Sequence, residues 1–388
     1  MKKCFLLAAI IIVISIAFSY ESYLDIPYYP EGEAPQIDKN KLDIFTPSSP
    51  TCGTPTVFFV HGGTWMYGDR RDYRMLGQIL ADEEELITVI ISYRLSDSLH
   101  PEVTHPDHIE DVAQAFHWTY ENIGEYGGTA DKIFVMGHSA GAHLSTLLGT
   151  NTSYLEATGS AESQIQGIIS FSLGVYDMPG LWHELGSWAP MIWPYLPFGE
   201  IFTDDTLNWY DASPKYHRHE GMPPFVFFVA QEDMEHIIGG DIGDMGLVIL
   251  DGEVDDVYND FNEYHDTDTF WLEGDHTSSF ENFAYDQESR ARILAMDFIG
   301  DVLEDIVEKP KNQPTELDFK VSPNPFNSAC RIDNSQGDAL IIRDLNGRII
   351  KRLAENDNLW IPEAGLSSGI YLLENPENGR SQKIVYQK

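Results

Sequence analysis

The chain has 388 residues, long enough for one large domain and a smaller one, and its 43% apolar share suffices for a sizeable core. Against 24 basic residues stand 62 acidic ones, a formal charge of -38. A surface so negative repels phosphate backbones and anionic lipid, so neither nucleic acid nor a membrane surface is an expected partner.

Lys2 and Lys3 precede an apolar run over residues 4–18, and Ala17-Phe18-Ser19 places small residues where a signal peptidase reads. The run is short for a stable membrane span, which needs roughly 20 apolar residues. Residues 1–19 are therefore expected to be a signal peptide, and the mature protein to be exported. Cys4 opens the run rather than closing it, so no lipoprotein attachment site is indicated. Cys52 and Cys330 fall in separate expected domains, which argues against a disulfide framework.

Over residues 20–307, short β-rich runs alternate with helical patterns, the signature of an α/β sheet. Strands are expected at 56–60, 87–93, 132–136, 165–171, 225–229 and 269–272. Several are continuously apolar, as strands become when helices cover both faces of a mostly parallel sheet. Helical spacing marks 107–122, 140–149 and 286–303, which completes a doubly wound pattern. Residues 308–316 are polar with two prolines and read as a linker. From 317 to 388, short alternating segments (339–342, 348–353, 370–373, 383–386) are separated by turn residues, the pattern of a small all-β sandwich.

The strand at 132–136 runs into Gly137-His138-Ser139-Ala140-Gly141, and a helix follows. A serine hydroxyl needs exposure and a neighbouring base to act as nucleophile. A sharp strand-to-helix turn supplies the exposure, and the flanking glycines remove Cβ clashes. The helix N-terminus adds a favourable field and a free N–H at Ala140. After the strand at 56–60 comes His61-Gly62-Gly63-Thr64-Trp65. Glycines let a substrate carbonyl approach backbone donors, so the amides of Gly63, Thr64 and Ala140 are the expected oxyanion hole. Gly62 shapes the turn, and His61 is read as a structural, hydrogen-bonded residue.

Together with Ser92-Tyr93-Arg94-Leu95 and Asp111, these motifs resemble the esterase/lipase branch of the α/β-hydrolases. The H-G-G-x-W form is most similar to kynurenine formamidase-like and bacterial feruloyl esterase-like members. The resemblance spans about residues 22–305 and implies a Ser–Asp–His triad in that chain order, with no metal or organic cofactor. It implies an acid after the strand that follows the cap: Asp233, after 225–229, with Glu232 as competitor and Ala230 where such families usually carry glycine. It implies a histidine after the last strand, which points to His276. The rivals His236 and His265 follow no strand. The interval between Asp233 and His276 is long and contains an acidic insertion, 241–265, to which no role is assigned.

An expected cap at about 176–222 is rich in aromatic rings, which either line a substrate pocket or pack the cap onto the body; Trp65, Trp188 and Trp193 are the candidate pocket residues. His105 and His108 match no metal-ligand spacing and are read as residues of surface loops. Val321-Ser-Pro-Asn-Pro, Asp344-Leu-Asn-Gly and Leu366-Ser-Ser-Gly-Ile-Tyr resemble, in that order, the C-terminal sorting domain of type IX secretion cargo. That resemblance implies secretion or surface attachment in a bacterium and a partner in the secretion machinery. The expected function is hydrolysis of a small ester or an ester-decorated polysaccharide, with acetyl or feruloyl groups the candidates. An arylformamidase-like amide hydrolase is the alternative, and a non-catalytic surface binding protein is the alternative of another class.

Overall fold

The computed structural model describes residues 20–51, 53–172, 175–189, 198–232 and 267–308, and C-terminal segments 319–322, 330–334, 340–344, 348–353, 359–362, 366, 369–374 and 381–386. The chain forms two compact units that divide between Leu303 and Glu304.

The first unit is built on eight strands: β1 (Tyr20–Pro27), β2 (Lys41–Pro47), β3 (Thr54–Val60), β4 (Ile87–Ile91), β5 (Gly128–His138), β6 (Ile165–Phe171), β7 (Phe225–Glu232) and β8 (Asp268–Asp275). Their order across the sheet is β1-β2-β4-β3-β5-β6-β7-β8. β1 and β2 run antiparallel to their neighbours and the rest are parallel. This is the doubly wound, mostly parallel sheet of an α/β-hydrolase.

The continuous apolar runs have a simple cause. Successive side chains of a strand point to opposite faces, and here both faces are buried. Phe58 and Val60 of β3, Ile133 and Val135 of β5, and Phe225 and Phe227 of β7 join one core. Val57 and Phe59, Phe134 and Met136, and Val226 and Phe228 join the other. Helices α2 (Asp107–Asn122), α3 (Ala140–Thr150) and α4 (Thr152–Thr158) contribute to the first core. Helices α1 (Arg74–Glu83), α8 (Ser278–Tyr285) and α9 (Arg290–Glu308) contribute to the second. Between β6 and β7 lie the short helices α5 (Met178–Leu185), α6 (Phe198–Ile201) and α7 (Thr206–Asp211), the described part of the cap.

Three elements ahead of α2 were not anticipated, nor was α4, and the helix expected at 286–303 is α9, preceded by a separate α8. β1 lies at the sheet edge with most residues exposed, so it carries little apolar signal. β2 contains Asp43, fully buried and paired with Arg70 and Arg74 of the turn and helix that follow β3. A charged residue at a core position hides a strand from a hydrophobicity reading. The third is α1, whose apolar residues Leu76, Leu80 and Ala81 occupy a single buried face.

After β4, Arg94 donates to Asp111 of α2 from its backbone N–H at 2.8 Å and its Nε at 2.9 Å. Tyr29 and Asn40 donate to the same carboxylate at 2.8 Å each. Asp111 is fully buried, and this complete set of donors is what makes a buried charge tolerable.

The second unit has β9 (Phe319–Ser322), β10 (Cys330–Asn334), β11 (Leu340–Asp344), β12 (Ile349–Leu353), β13 (Leu359–Trp360), β14 (Gly369–Glu374) and β15 (Ser381–Tyr386). They form two antiparallel sheets, β13-β10-β9 and β12-β11-β14-β15. Ile332 and Trp360 of the first sheet pack with Ile342, Leu373 and Ile384 of the second, as in a small sandwich. The expected signal peptide lies outside the described residues, as does the expected linker beyond Glu308, where α9 ends.

Candidate active site

The strand order reverses at β3 and β5: from β3 the chain moves to β4 on one side, then to β5 on the other. Ligand sites of open α/β sheets form in the crevice outside the carboxyl ends of such strands. The loop after β3 and the turn after β5 occupy that position here.

Ser139 joins β5 to α3 with φ 55° and ψ -120°, a backbone state that costs a non-glycine residue about 1–3 kcal/mol. Its surroundings impose it. The Ser139 N–H donates to the Phe171 carbonyl of β6 at 3.0 Å. A β-carbon at Gly137 would stand 2.2 Å from the Gly141 carbonyl oxygen, so a side chain there would collide with the start of α3. The expected strand–turn–helix elbow is therefore present, with the serine at its apex.

His276 follows β8 directly, and its Nε2 lies 2.8 Å from Ser139 Oγ. A neutral imidazole in that position accepts the serine O–H. The two residues are 137 apart in the chain and meet only because β5 and β8 end at the same edge of the sheet. Asp233 lies outside the described residues. The strand leading to it is described: β7 ends at Glu232, whose register partner on β8 is Asp275, the residue before His276.

On the other side of Ser139, a β-carbon at Gly62 would meet Ser139 Cβ at 3.1 Å and the His138 carbonyl oxygen at 2.8 Å. The glycine loop thus runs against the elbow. Gly63, Thr64 and Trp65 all have positive φ, 119°, 49° and 58°, in a turn closed by Met66 and Tyr67 N–H bonds to the Gly63 carbonyl. No hydrogen bond among the described residues uses the amide of Gly63, Thr64 or Ala140. His61 is fully buried; its ring lies on Tyr93 at 4.5 Å, and Nδ1 bonds the Gly62 carbonyl at 2.7 Å. Burial pushes its pKa down to about 4, so it is a neutral structural residue.

The pocket residues fare differently. Trp65 is only 4% exposed and packs edge-on to His143, Phe198 and Phe202 at 5.1 to 6.2 Å, joining the cap to the body. It offers a substrate little surface. Trp188 ends a 3₁₀ turn, Gly186–Trp188, and Trp193 lies outside the described residues.

His105 and His108 are not in surface loops. Both are buried, because each has a polar partner: Asp211 Oδ2 at 2.8 Å for His105 and Ser96 Oγ at 2.9 Å for His108. Among the described residues no group of three or more His, Cys, Asp or Glu could hold a metal ion, and no helix is long and apolar enough to cross a membrane.

One residue of the site received no role in the sequence reading. His138, the variable position of the elbow motif, bonds the His276 carbonyl oxygen through Nε2 at 3.0 Å. Only its place beside the nucleophile could have drawn notice, since its acceptor is far away in the chain.

A sequence profile of the BD-FAE family matches residues 42–236, half of the chain. Over 219 residues the chain is 34% identical to the probable carboxylic ester hydrolase LipM of Mycobacterium tuberculosis, covering 54% of this chain and 47% of that protein. It is 33% identical over 221 residues to esterase LipQ of the same organism, covering 54% and 48%. The chain thus spans about half the length of the curated relatives it matches. Its fold is similar to that of esterase B from Lactobacillus rhamnosis, with a TM-score of 0.59, 18% identity, and coverage of 75% of this chain and 90% of that one.

Proposed function

The chain belongs to the BD-FAE family of α/β-hydrolases, and we propose that it is a secreted serine carboxylic-ester hydrolase acting on acetyl or feruloyl esters, free or carried by polysaccharide. The observation that carries the reading is the 2.8 Å contact between His276 Nε2 and Ser139 Oγ at the apex of a strained turn. A binding protein has no need of that pair, which argues against a non-catalytic role.

The proposed chemistry is that of a Ser–His–Asp triad, supported by the Ser139–His276 contact. His276 Nε2 takes the Ser139 proton as Oγ attacks the ester carbonyl carbon. The carbonyl oxygen becomes negative, and the amides of Gly63, Thr64 and Ala140 are the donors assigned to it; each such donor lowers a barrier by roughly 3 kcal/mol. Collapse of the intermediate breaks the bond to the alcohol, which leaves with the proton from His276. Water then repeats the sequence on the acyl-serine, and Asp233 orients His276 and stabilises its cation. Membership of the family and the esterase relatives support ester over amide as substrate. Export is inferred from the apolar leader at 4–18 and from the three tail motifs, in order, within a β-sandwich.

The test is a screen of purified protein against nitrophenyl acetate, methyl ferulate, acetylated xylan and N-formylkynurenine, beside Ser139→Ala. Ester turnover that vanishes in S139A is the expected result. Preference for N-formylkynurenine would move the assignment to amide hydrolysis, and no turnover of any substrate would favour the binding protein.

A further inference from the structure

His138 performs no chemical step in the reaction above, yet its ring lies against both the glycine loop and the turn that carries His276. Its Nε2 donates to the His276 carbonyl oxygen at 3.0 Å. Phe280 of α8 stacks on it at 4.8 Å, and the His276 ring lies 5.3 Å away. A β-carbon at Gly62 would meet its Nδ1 at 3.0 Å. The imidazole therefore lies between the glycine loop, the elbow and the turn that carries the base.

Burial, and then the nearby His276, push the pKa of His138 down to about 4, so the ring is neutral and its one N–H is the Nε2 donor. Nδ1 is left as a buried acceptor with no partner among the described residues. An unpaired buried acceptor is a cost to stability. Phenylalanine would fill the same space without that cost, so packing alone does not account for histidine here.

The acceptor accounts for it. Thr277 is the N-cap of α8, and the first helical bond runs from Glu281 N–H to the Thr277 carbonyl at 2.8 Å. The carbonyl of His276 lies one residue before that N-cap and accepts the His138 Nε2–H. Donation from His138 restrains the peptide plane between His276 and Thr277, the backbone from which the His276 ring projects. His276 is thus bonded twice by consecutive residues: its ring by Ser139 and its backbone by His138.

We propose that His138 is a positioning residue for ester hydrolysis, its Nε2–H locking the His276 carbonyl so that the His276 ring stays aimed at Ser139 Oγ. This rests on the serine hydrolase reading. A misplacement of about 1 Å in such a site can lower the rate on the order of 10²-fold.

The experiment compares Ser139→Ala, His138→Phe and His138→Gln in the full chain on nitrophenyl acetate, with the thermal midpoint measured for each. Phe keeps the stacking and loses the donor; Gln places an amide N–H near the position of Nε2. His138→Phe is expected to lower kcat about 10- to 100-fold with KM little changed, and His138→Gln to recover most of kcat. Should His138→Phe fail to fold, His138→Met, of similar length and without a donor, replaces it. Wild-type kcat in the donor-free variant would overturn the proposal. So would an equal loss in His138→Gln that tracks the thermal midpoint, the behaviour of a packing residue. Undiminished turnover by Ser139→Ala would instead sink the serine hydrolase reading itself.

Discussion

Gly141 and Val60 approach so closely that a β-carbon on the glycine would stand 2.1 Å from the valine carbonyl oxygen. The helix after the nucleophile is thereby seated against the strand that feeds the glycine loop. Both halves of the site take their relative position from this backbone contact rather than from a side chain. Gly141→Ala should therefore displace one of two backbone segments, at a cost of about 1–3 kcal/mol. Thermal denaturation together with the rate of nitrophenyl acetate hydrolysis checks this: both should fall, and a variant unchanged in both would show that the elbow tolerates movement.

The register of β7 and β8 bears on the acid proposed to assist His276. Glu232 is paired with Asp275, the residue before His276, and the acid proposed to orient His276 is Asp233, the next residue in the chain. Asp233→Asn should lower kcat by about 10⁴-fold, the usual effect of removing the carboxylate in a Ser–His–Asp system. Glu232→Gln should retain most activity. The reverse pattern in steady-state kinetics would transfer the role to Glu232.

Stability should fall steeply in mild acid. Burial pushes the pKa of His61 and His138 down to about 4, and that of His108 and His143 to about 3, from an ordinary 6.5. Between those values the unfolded chain binds protons that the folded chain excludes. The stabilisation is therefore whole above pH 6.5 and is lost as pH falls toward the folded values. At about 1.4 kcal/mol per unit and group, two pH units across four histidines amount to on the order of 10 kcal/mol, comparable to the stability of a typical domain. Asp25, Asp97 and Asp211, held below the usual carboxylate range, add to the loss at still lower pH. Urea midpoints measured from pH 8 down to 4.5 should decline throughout the lower half of that range. A flat profile would mean that the histidines are not excluded from solvent.

Since the compact units divide between Leu303 and Glu304, and α9 ends at Glu308, a chain stopped after Lys311 keeps the whole hydrolase unit. Its ester turnover should match that of the full chain while export from the producing cell is abolished. Activity assays on purified protein, paired with immunodetection in the culture medium, separate the two effects; a folded truncation that cannot hydrolyse ester would assign the tail a part in the site.

Much of the architecture was legible because it is written locally. The strands β3, β5, β6 and β7 announce themselves as apolar runs, since both their faces are covered, and the elbow announces itself by glycines that no other residue can replace. β1 and β2 were missed for the opposite reason: an edge strand needs no apolar run, and Asp43 of β2 is made tolerable by two arginines from later in the chain. His105 and His108 were placed at the surface because a polar side chain betrays nothing of the partner that permits its burial. Asp211, the partner of His105, lies 106 residues away.

The amino-acid order by itself determined the class of fold, the strand–turn–helix elbow at Ser139 and the loop of glycines beside it, because each depends on steric demands within a few consecutive residues. Tertiary structure alone decided that Trp65 is a packing residue and that His138 bonds the backbone of His276. Those facts depend on where a parallel sheet lays the end of β8 and the cap against β3 and β5, and hydrogen bonding across such a distance in the chain leaves no trace in local composition or spacing.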